Sequence, residues 1–252
     1  MAGHSKWANI KHKKAAADKK KGKIFSRITK EIIVAAKKGT DPASNSRLRH
    51  AILAAKEVNM PNANIERAIK KASGEDGSAN YEDIVYEGYA PGGVAILVEC
   101  LTDNRNRTAS EVRSTFEKGH GNLAGSGAVA WIFKKKSHFL ITGENANEDK
   151  LMEITLDAGA EDIECSDNSA HIYAPPEAYE AISKALSDAK IPVTESGITQ
   201  IPENYCEIKD ISTARQVLNL IENLEELEDV QAVYSNFDAP QEIIEQLNSE
   251  RQ

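Results

Sequence analysis

The sequence predicts an α+β protein of several domains: an N-terminal three-helix domain and two small ferredoxin-like α+β domains. Apolar residues recur at helical spacing as far as residue 72, whereas beyond residue 80 strand-like and helix-like spacings alternate. The elements of 80–136 lack a second helix and a last strand, which 207–238 can supply. We therefore expect a discontinuous middle domain with the last domain inserted into it.

A polar linker at 74–80 separates the helical domain from the α+β part of the chain. Within the α+β part, the change of pattern near residue 137 and the return near residue 207 suggest two more boundaries. The predicted divisions are a basic arm and helical domain at 1–78, a middle domain at 79–136 and 207–240, an inserted domain at 137–206, and a tail at 241–252.

The helical domain is predicted from three amphipathic stretches. The first spans 24–36 and ends at Gly39, a residue typical of helix C-caps. Asp41 and Pro42 are expected to open the second helix. The third is expected to run from residue 62 or 64 to 73, where Gly74 follows. A helix-turn-helix interpretation has little support, because the exposed positions are mostly Lys rather than the Arg, Asn and Gln that read bases.

The middle domain is predicted to begin with strands at 81–89 and 94–101. Thr108 and Glu111 have the spacing of a capping box, which predicts a helix from there to Lys118. The glycine-rich stretch 119–127 lacks the Gly-Lys-Ser or Gly-Lys-Thr of a phosphate-binding loop. We expect it to connect to an edge strand at 128–133, with the lysines at 134–136 either as a second basic spot or as a guard against strand pairing.

The last domain is predicted from a helix, two strands, a helix and a strand between residues 145 and 201. A further helix at 212–224 and a strand at 230–234 would return to the middle domain. Residues 238–252 are expected to form a short acidic tail.

The N-terminal arm contains the main functional signal. It is rich in lysine and poor in bulky apolar residues, so it cannot offset the entropy of ordering itself and should be mobile when free. A polyanion could order it, because each lysine that neutralises a phosphate releases a counterion, and an indole can stack on an exposed base. The candidate nucleic-acid-binding residues of the arm and first helix are Lys6, Trp7, Lys11, His12, Lys13, Lys14, Lys19, Lys20, Lys21, Lys23, Arg27 and Lys30.

Two further candidates, Arg105 and Arg107, lie in the loop before the predicted fourth helix. A helix N-terminus favours an anion, so the pair could form a phosphate site. An ordinary loop with solvated arginines is the alternative. For the arm, the alternatives are a solubility tail or a targeting peptide, although a secretory signal is excluded because no apolar segment follows the charges.

The charge distribution is strongly asymmetric. Residues 1–72 contain 18 Lys and Arg against 5 Asp and Glu, a net charge of +13, whereas the remainder carries −21. An acidic bulk repels nucleic acid, so such a ligand would have to meet the N-terminal part. The acidic surface could equally serve only to keep the rest of the chain in solution.

Other function classes have less support. The three cysteines are far apart and odd in number, which suits reduced thiols in a cytoplasm and predicts neither a disulfide framework nor a metal site. No apolar run approaches a membrane span. The histidines show no paired ligand spacing, and His120 between two glycines is the best lone candidate for chemistry. We expect no enzyme, no catalytic residue, no cofactor and no metal.

Four segments resemble the YebC family: the arm from Ala2 to Lys14, the stretch 22–27, the stretch 86–94 and the stretch 102–108. The resemblance covers essentially the whole chain. It implies three domains, the third inserted in the second, and a cytoplasmic, non-enzymatic regulator of gene expression. Many bacterial members are described as probable DNA-binding transcriptional regulators. Mitochondrial relatives are translational activators, and bacterial members have been linked to ribosomes.

The expected partner is therefore a nucleic acid, either DNA or, as the alternative, ribosomal RNA on the ribosome. Lysine-dominated contacts, a single stacking aromatic and no evident dimer seam fit RNA at least as well as a palindromic operator. We expect a monomer with no membrane partner. A weaker alternative is a protein-binding adaptor, which would associate through an apolar patch and be insensitive to salt.

Overall fold

The computed structural model describes residues 18–72, 80–166 and 168–249. It confirms the predicted α+β class. The helices, in chain order, are α1 (Asp18–Ala36), α2 (Ser46–Glu57), α3 (Asn62–Ala72), α4 (Arg105–Lys118), α5 (Glu148–Thr155), α6 (Tyr179–Asp188), α7 (Ile211–Glu225) and α8 (Gln241–Ser249). The strands are β1 (Glu82–Tyr89), β2 (Ala95–Thr102), β3 (Asn122–Ala124), β4 (Phe133–Thr142), β5 (Asp162–Ser166), β6 (Ser169–Ala174), β7 (Glu195–Pro202), β8 (Cys206–Glu207), β9 (Val230–Ser235) and β10 (Phe237–Asp238).

The chain forms two compact units. The described parts of the first are 18–72, 80–129 and 210–235, and those of the second are 130–166, 168–209 and 236–249. The first unit therefore contains the helical bundle and one sheet, and the second contains the other sheet. How these units divide into domains stays a prediction. Within the described residues, every helix falls short of the length and apolar content needed to cross a bilayer.

The helical bundle consists of α1, α2 and α3 around one apolar core. α1 packs against both other helices, since its apolar residues repeat at helical spacing along one face. The most completely buried contributors are Ile32, Ala35, Leu48 and Ala55.

The start of α2 differs from its prediction. The helix begins at Ser46 rather than at Asp41, and Asn45 is its N-cap, with a side chain that accepts a hydrogen bond from the Leu48 amide. Asp41 instead accepts from the Ala43 amide in a local turn. Asp and Asn both favour caps and turns, so residue type alone does not distinguish Asp41 from Asn45 as the N-cap.

The first unit also contains an antiparallel sheet of strand order β3-β1-β2-β9. β9 follows α7, so a late segment of the chain completes a sheet that the middle of the chain begins. Helices α4 and α7 pack against each other beside this sheet, with Val112, Phe116 and Leu220 fully buried.

The predicted capping box at the start of α4 is wrong. The helix begins at Arg105, one turn earlier than expected, because the Asn104 side chain accepts a hydrogen bond from the Arg107 amide. Thr108 is therefore inside the helix, where its side chain is buried and donates to the Asp229 carboxylate. Arg105 and Arg107 are part of the first helical turn rather than of a loop.

Gly88 of β1 sits where the sheet meets α4, and its replacement by alanine is expected to lower the free energy of unfolding by about 2–3 kcal/mol. An added Cβ would lie 2.6 Å from the Asn122 carbonyl oxygen and 2.6 Å from a carbon of the Phe116 ring. Urea unfolding measures the effect. Gly125→Ala is the control, because its Cβ would meet nothing within 4 Å. Equal losses in the two variants would contradict the packing argument.

The sheet of the second unit has the order β5-β6-β4-β7 and is antiparallel. Helices α5 and α6 cover one face, where Phe139, Ile172 and Ile182 are fully buried. The short strands β8 and β10 form a separate parallel pair.

The edge strand predicted at 128–133 is wrong in its bounds and in its position. The strand expected at 128–133 is instead a 3-10 turn at Ala130–Ile132 followed by β4, which begins at Phe133. β4 is also an interior strand, although its residues 134–136 pair only with β7 because β6 joins at Ser137. The predicted tail remains a prediction as a domain division; the structure adds that it includes α8, in which Ile244 and Leu247 are buried.

Candidate nucleic-acid interface

The basic residues of α1 that the structure describes lie along one face of the helix. Lys23, Arg27 and Lys30 are spaced by four and three residues, which places them one above another. Lys23 is exposed, Arg27 is half-buried and Lys30 is buried. All three reach the end of α7 and the turn after it, at residues 225–229.

The first two contacts are made with the C-terminal end of α7. The Lys23 ammonium donates to the Glu226 carbonyl at 2.8 Å and pairs with the carboxylate of the same residue. The Arg27 guanidinium donates to the Glu225 carbonyl. Cations at this end of a helix are favoured by the orphan carbonyls and by the helix dipole. Burial lowers the pKa of the Arg27 guanidinium, while the charges of Glu225 and Glu226 oppose that effect.

Lys30 makes the most buried of these contacts. Its ammonium lies 2.8 Å from the Asp229 carboxylate, with only 9% of the lysine side chain and 1% of the aspartate side chain exposed. The Glu228 carboxylate is 3.6 Å from the same ammonium but is 77% exposed. Lys30 is therefore held by one buried partner and one that remains in water.

The Asp229 carboxylate binds residues from several segments of the chain. Besides Lys30, it accepts hydrogen bonds from the Arg107 guanidinium at 2.6 Å, the Thr108 hydroxyl at 2.8 Å and the Thr102 hydroxyl at 3.0 Å. Burial acts to raise the pKa of Asp229, but the hydrogen bonds from Lys30, Arg107 and Thr108 outweigh it and lower the pKa to about 2. We call Asp229 with its four side-chain partners the Asp229 cluster.

The two arginines of α4 differ in their surroundings. Arg107 binds Asp229 and also Asp103 at 3.0 Å, and its hydrogen bonds to these carboxylates raise the pKa of its guanidinium. The Arg105 side chain is exposed, and its carbonyl accepts from the Tyr86 hydroxyl at 3.4 Å. Within this pair, only Arg105 presents its charge to solvent without a carboxylate at hydrogen-bond distance among the described residues.

A second ionic cluster joins the bundle to the same sheet. The Arg47 guanidinium of α2 binds Glu31 of α1 at 2.6 and 2.9 Å, and Asp83 of β1 at 2.9 and 3.0 Å. Hydrogen bonds to Glu31, and secondly to Asp83, raise the pKa of this guanidinium. Both clusters fix the bundle against later elements of the first unit.

The candidate residues named from the sequence therefore fall into groups. Lys30 and Arg107 are brought together on one carboxylate, Lys23 and Arg27 lie beside them, and Arg105 stands apart. The remaining candidates lie outside the described residues, or have side chains that do: Lys6, Trp7, Lys11, His12, Lys13, Lys14, Lys19, Lys20 and Lys21.

Asp229 was missed by the sequence reasoning. The available signal was the acidic run at 225–229, which follows an apolar helix and contrasts with the basic first helix. His120, the lone candidate for chemistry, adopts a left-handed φ of 58° in the turn after α4. Among the described residues, no three His, Cys, Asp or Glu side chains are grouped so that they could hold a metal ion.

Comparison with known proteins gives consistent matches along the chain. Residues 5–75 match the family model described as the TACO1/YebC protein N-terminal domain, and 81–237 match that of the TACO1/YebC second and third domain. A probable transcriptional regulatory protein of Natranaerobius thermophilus is 52% identical over 97% of this chain and 99% of its own length. Another, from Halothermothrix orenii, is 50% identical over 99% and 100%.

A solved structure extends the similarity to the fold. The crystal structure of a conserved hypothetical protein from Aquifex aeolicus matches with a TM-score of 0.84 and 45% sequence identity. The match covers 93% of this chain and 97% of the other.

Proposed function

Because the chain belongs to the TACO1/YebC family, we propose that it is a regulator of gene expression that acts by binding nucleic acid, without catalysis. The observation that carries the proposal is the net charge of +13 on residues 1–72, in a chain whose remainder carries −21. A polyanion is attracted to the first part and repelled by the rest, so it is captured in one orientation.

We assign two roles to the basic residues. The lysines between residues 6 and 21, with Arg105, bind phosphates. Lys30 and Arg107 are both committed to Asp229, and Lys30 thereby holds α1 in place, because separating either cation would remove one of the two counterions of a buried carboxylate. The contacts made by Lys23 and Arg27 with the end of α7 support the same positioning role.

The finer proposal is a cytoplasmic, monomeric, DNA-binding transcriptional regulator; the names of the relatives, probable transcriptional regulatory protein, support the regulatory role within it. The second candidate is a translation factor that binds ribosomal RNA. The predominance of lysine over arginine in the arm favours this candidate, because lysine contacts phosphate as a point charge and gives little sequence preference.

A competition experiment separates the two candidates. Cys165 is exposed and accepts a fluorescent label, whereas Cys100 is buried and burial raises its pKa to about 12. Cys206→Ser removes the remaining thiol of intermediate exposure. The labelled protein is then offered promoter-length duplex DNA and intact ribosomes at near-physiological salt.

The outcomes are distinct. Ribosomes that displace the duplex, together with DNA binding that is indifferent to sequence, support the translation factor. A duplex that resists displacement, and loses about 10³-fold or more in affinity when its sequence is scrambled, supports the transcriptional regulator. Binding to neither partner would overturn the nucleic-acid proposal.

A further inference from the structure

The second unit exposes a large aromatic side chain close to the start of its sheet. Trp131 is 64% exposed, which is the highest value among the large apolar side chains that the structure describes. It lies in the 3-10 turn that leads directly into β4. A single exposed aromatic residue is common on protein surfaces, so its surroundings must decide whether it has a function.

Those surroundings are basic in an otherwise acidic unit. Residues 130–209 contain seven lysines, no arginine and 15 aspartates and glutamates, yet three of the lysines are consecutive at 134–136. These three lysines begin three residues after Trp131 and lie near the start of β4. Such a concentration of one charge sign runs against the composition of the unit.

The charge of these lysines is only partly balanced. Lys136 pairs with Glu161. The Lys134 ammonium lies 3.7 Å from the Glu203 carboxylate, and the side chains of Lys134 and Glu203 are both more than half exposed. Lys135 is exposed and pairs with no carboxylate within the described part of the chain. At least one full positive charge, and a second that is loosely held, therefore remain available to an anion.

The three lysines also line a groove of about 420 Å³. Its apolar surface comes in part from Pro175, Pro176 and Ile201. Glu161 and Glu203, the partners of Lys136 and Lys134, also line it. Cations beside apolar surface, with an exposed aromatic residue three positions before them in the chain, are the combination with which proteins bind unpaired nucleotides: phosphates follow the cations and bases stack on the rings.

From this arrangement we infer that the second unit carries a separate binding site for single-stranded nucleic acid. One base stacks on Trp131, and the adjoining phosphates contact Lys134 and Lys135. Chain connectivity keeps the Cα atoms of Trp131 and Lys135 within about 14 Å, which suits neighbouring nucleotides. Duplex DNA is disfavoured, because stacking on the indole requires an unpaired base. The inference rests on the proposed function and adds a contact outside the arm.

The test uses the full chain with the arm disabled. Lys11, Lys13, Lys14, Lys19, Lys20 and Lys21 are replaced by Gln, and Trp7→Phe leaves Trp131 as the sole tryptophan, since the sequence has two. A single-stranded oligothymidine, an oligouridine and a duplex of mixed sequence are titrated at low salt. Tryptophan fluorescence reports stacking, and the anisotropy of a labelled oligonucleotide reports affinity.

We expect saturable quenching of Trp131 by the single strands and weaker binding of the duplex. Trp131→Ala should reduce single-strand affinity about tenfold or more. Lys134→Gln with Lys135→Gln should weaken binding and reduce the slope of log affinity against log salt by roughly 1.4, for two phosphate contacts at about 0.7 each. Lys150→Gln with Lys184→Gln makes the same charge change on exposed helical positions and should alter neither quantity.

Other results would overturn the inference. The inference fails if single strands do not quench Trp131, if Trp131→Ala binds them with unchanged affinity, or if the protein prefers the duplex. It also fails if polyglutamate competes equally well with the single strands, because that result would indicate an acidic protein partner. Lys135→Gln alone tests the site with Trp131 in place, at an exposed position where the substitution does not disturb the fold. A folding defect of Trp131→Ala would therefore not decide the outcome. If the protein with an intact arm binds nucleic acid while these readouts fail, only this site is rejected and the proposed function stands.

Discussion

Replacing Asp229 by asparagine is expected to lower the free energy of unfolding at pH 7 by about 3–5 kcal/mol. The variant leaves the Lys30 ammonium, only 9% exposed, without its buried counterion. Arg107, Thr102 and Thr108 lose the carboxylate to which they donate, and one amide oxygen cannot replace it for all of them. Urea unfolding followed by circular dichroism measures the loss.

The neighbouring acidic residue provides the matched control. Glu228→Gln removes the same charge one position earlier, from a carboxylate that is 77% exposed and 3.6 Å from the same ammonium. Its effect should stay within about 0.5 kcal/mol. If the two variants were equally stable, the Asp229 cluster would not hold the first unit together. Adding Lys30→Met to Asp229→Asn should recover part of the loss, because the unpaired buried charge is then removed.

The wild type and Asp229→Asn should also differ in a pH-dependent way. The pKa of Asp229 is about 2 in the folded chain and about 3.9 in an unfolded one. Since the folded-state pKa is the lower, the ionised carboxylate contributes about 2.6 kcal/mol that is fully present above about pH 5 and is lost as the pH falls through 2. The stability difference between the two proteins should therefore be constant from pH 7 to about 5 and shrink below pH 4.

Neutralising the arm is expected to have the largest effect on binding. Replacing Lys11, Lys13, Lys14, Lys19, Lys20 and Lys21 by Gln removes up to six phosphate contacts. The slope of log affinity against log salt should fall by roughly 4–5, at about 0.7–0.9 for each lost contact, and affinity at 0.1 M salt should drop by about 10³-fold or more. The loss should be nearly uniform across sequences, because the contacts are made with the backbone. Titrations at several salt concentrations measure both quantities.

An equal change of charge elsewhere serves as the control. Six exposed lysines outside the arm can be replaced by Gln together: Lys56, Lys118, Lys150, Lys184, Lys190 and Lys209. If only the net charge mattered, both variants would bind equally weakly. An arm variant with unchanged affinity and slope would falsify the arm as the binding element.

Most elements of the fold could be predicted because their signals are local. The apolar spacing of α1, β2 and α7 depends on residues within a few positions of one another. The errors arose where two local signals competed. Asn104 and Thr108 are both suitable N-caps, and the glutamate at 111 favoured the wrong one. In β4, consecutive lysines are typical of an edge strand, and only pairing with β6 places the strand inside the sheet.

The candidate interface could be predicted only in part. The basic spacing of Lys23, Arg27 and Lys30 is visible in the sequence, but their partners at 225–229 are not. Asp229 has no local pattern that distinguishes it from the glutamates before it, because its role depends on residues 122 and 199 positions away. A charge pattern therefore identifies a basic face without showing whether a phosphate or a carboxylate will meet it.

The long separation between Lys30 and Asp229 has a consequence for biosynthesis. The aspartate is added 199 residues after the lysine, which takes about 10–40 s at typical rates of chain synthesis. During that time the basic face of α1 has been made and its carboxylate does not yet exist. Newly made α1 therefore cannot take its final place in the first unit until synthesis is nearly complete, since the counterion that buries Lys30 arrives last.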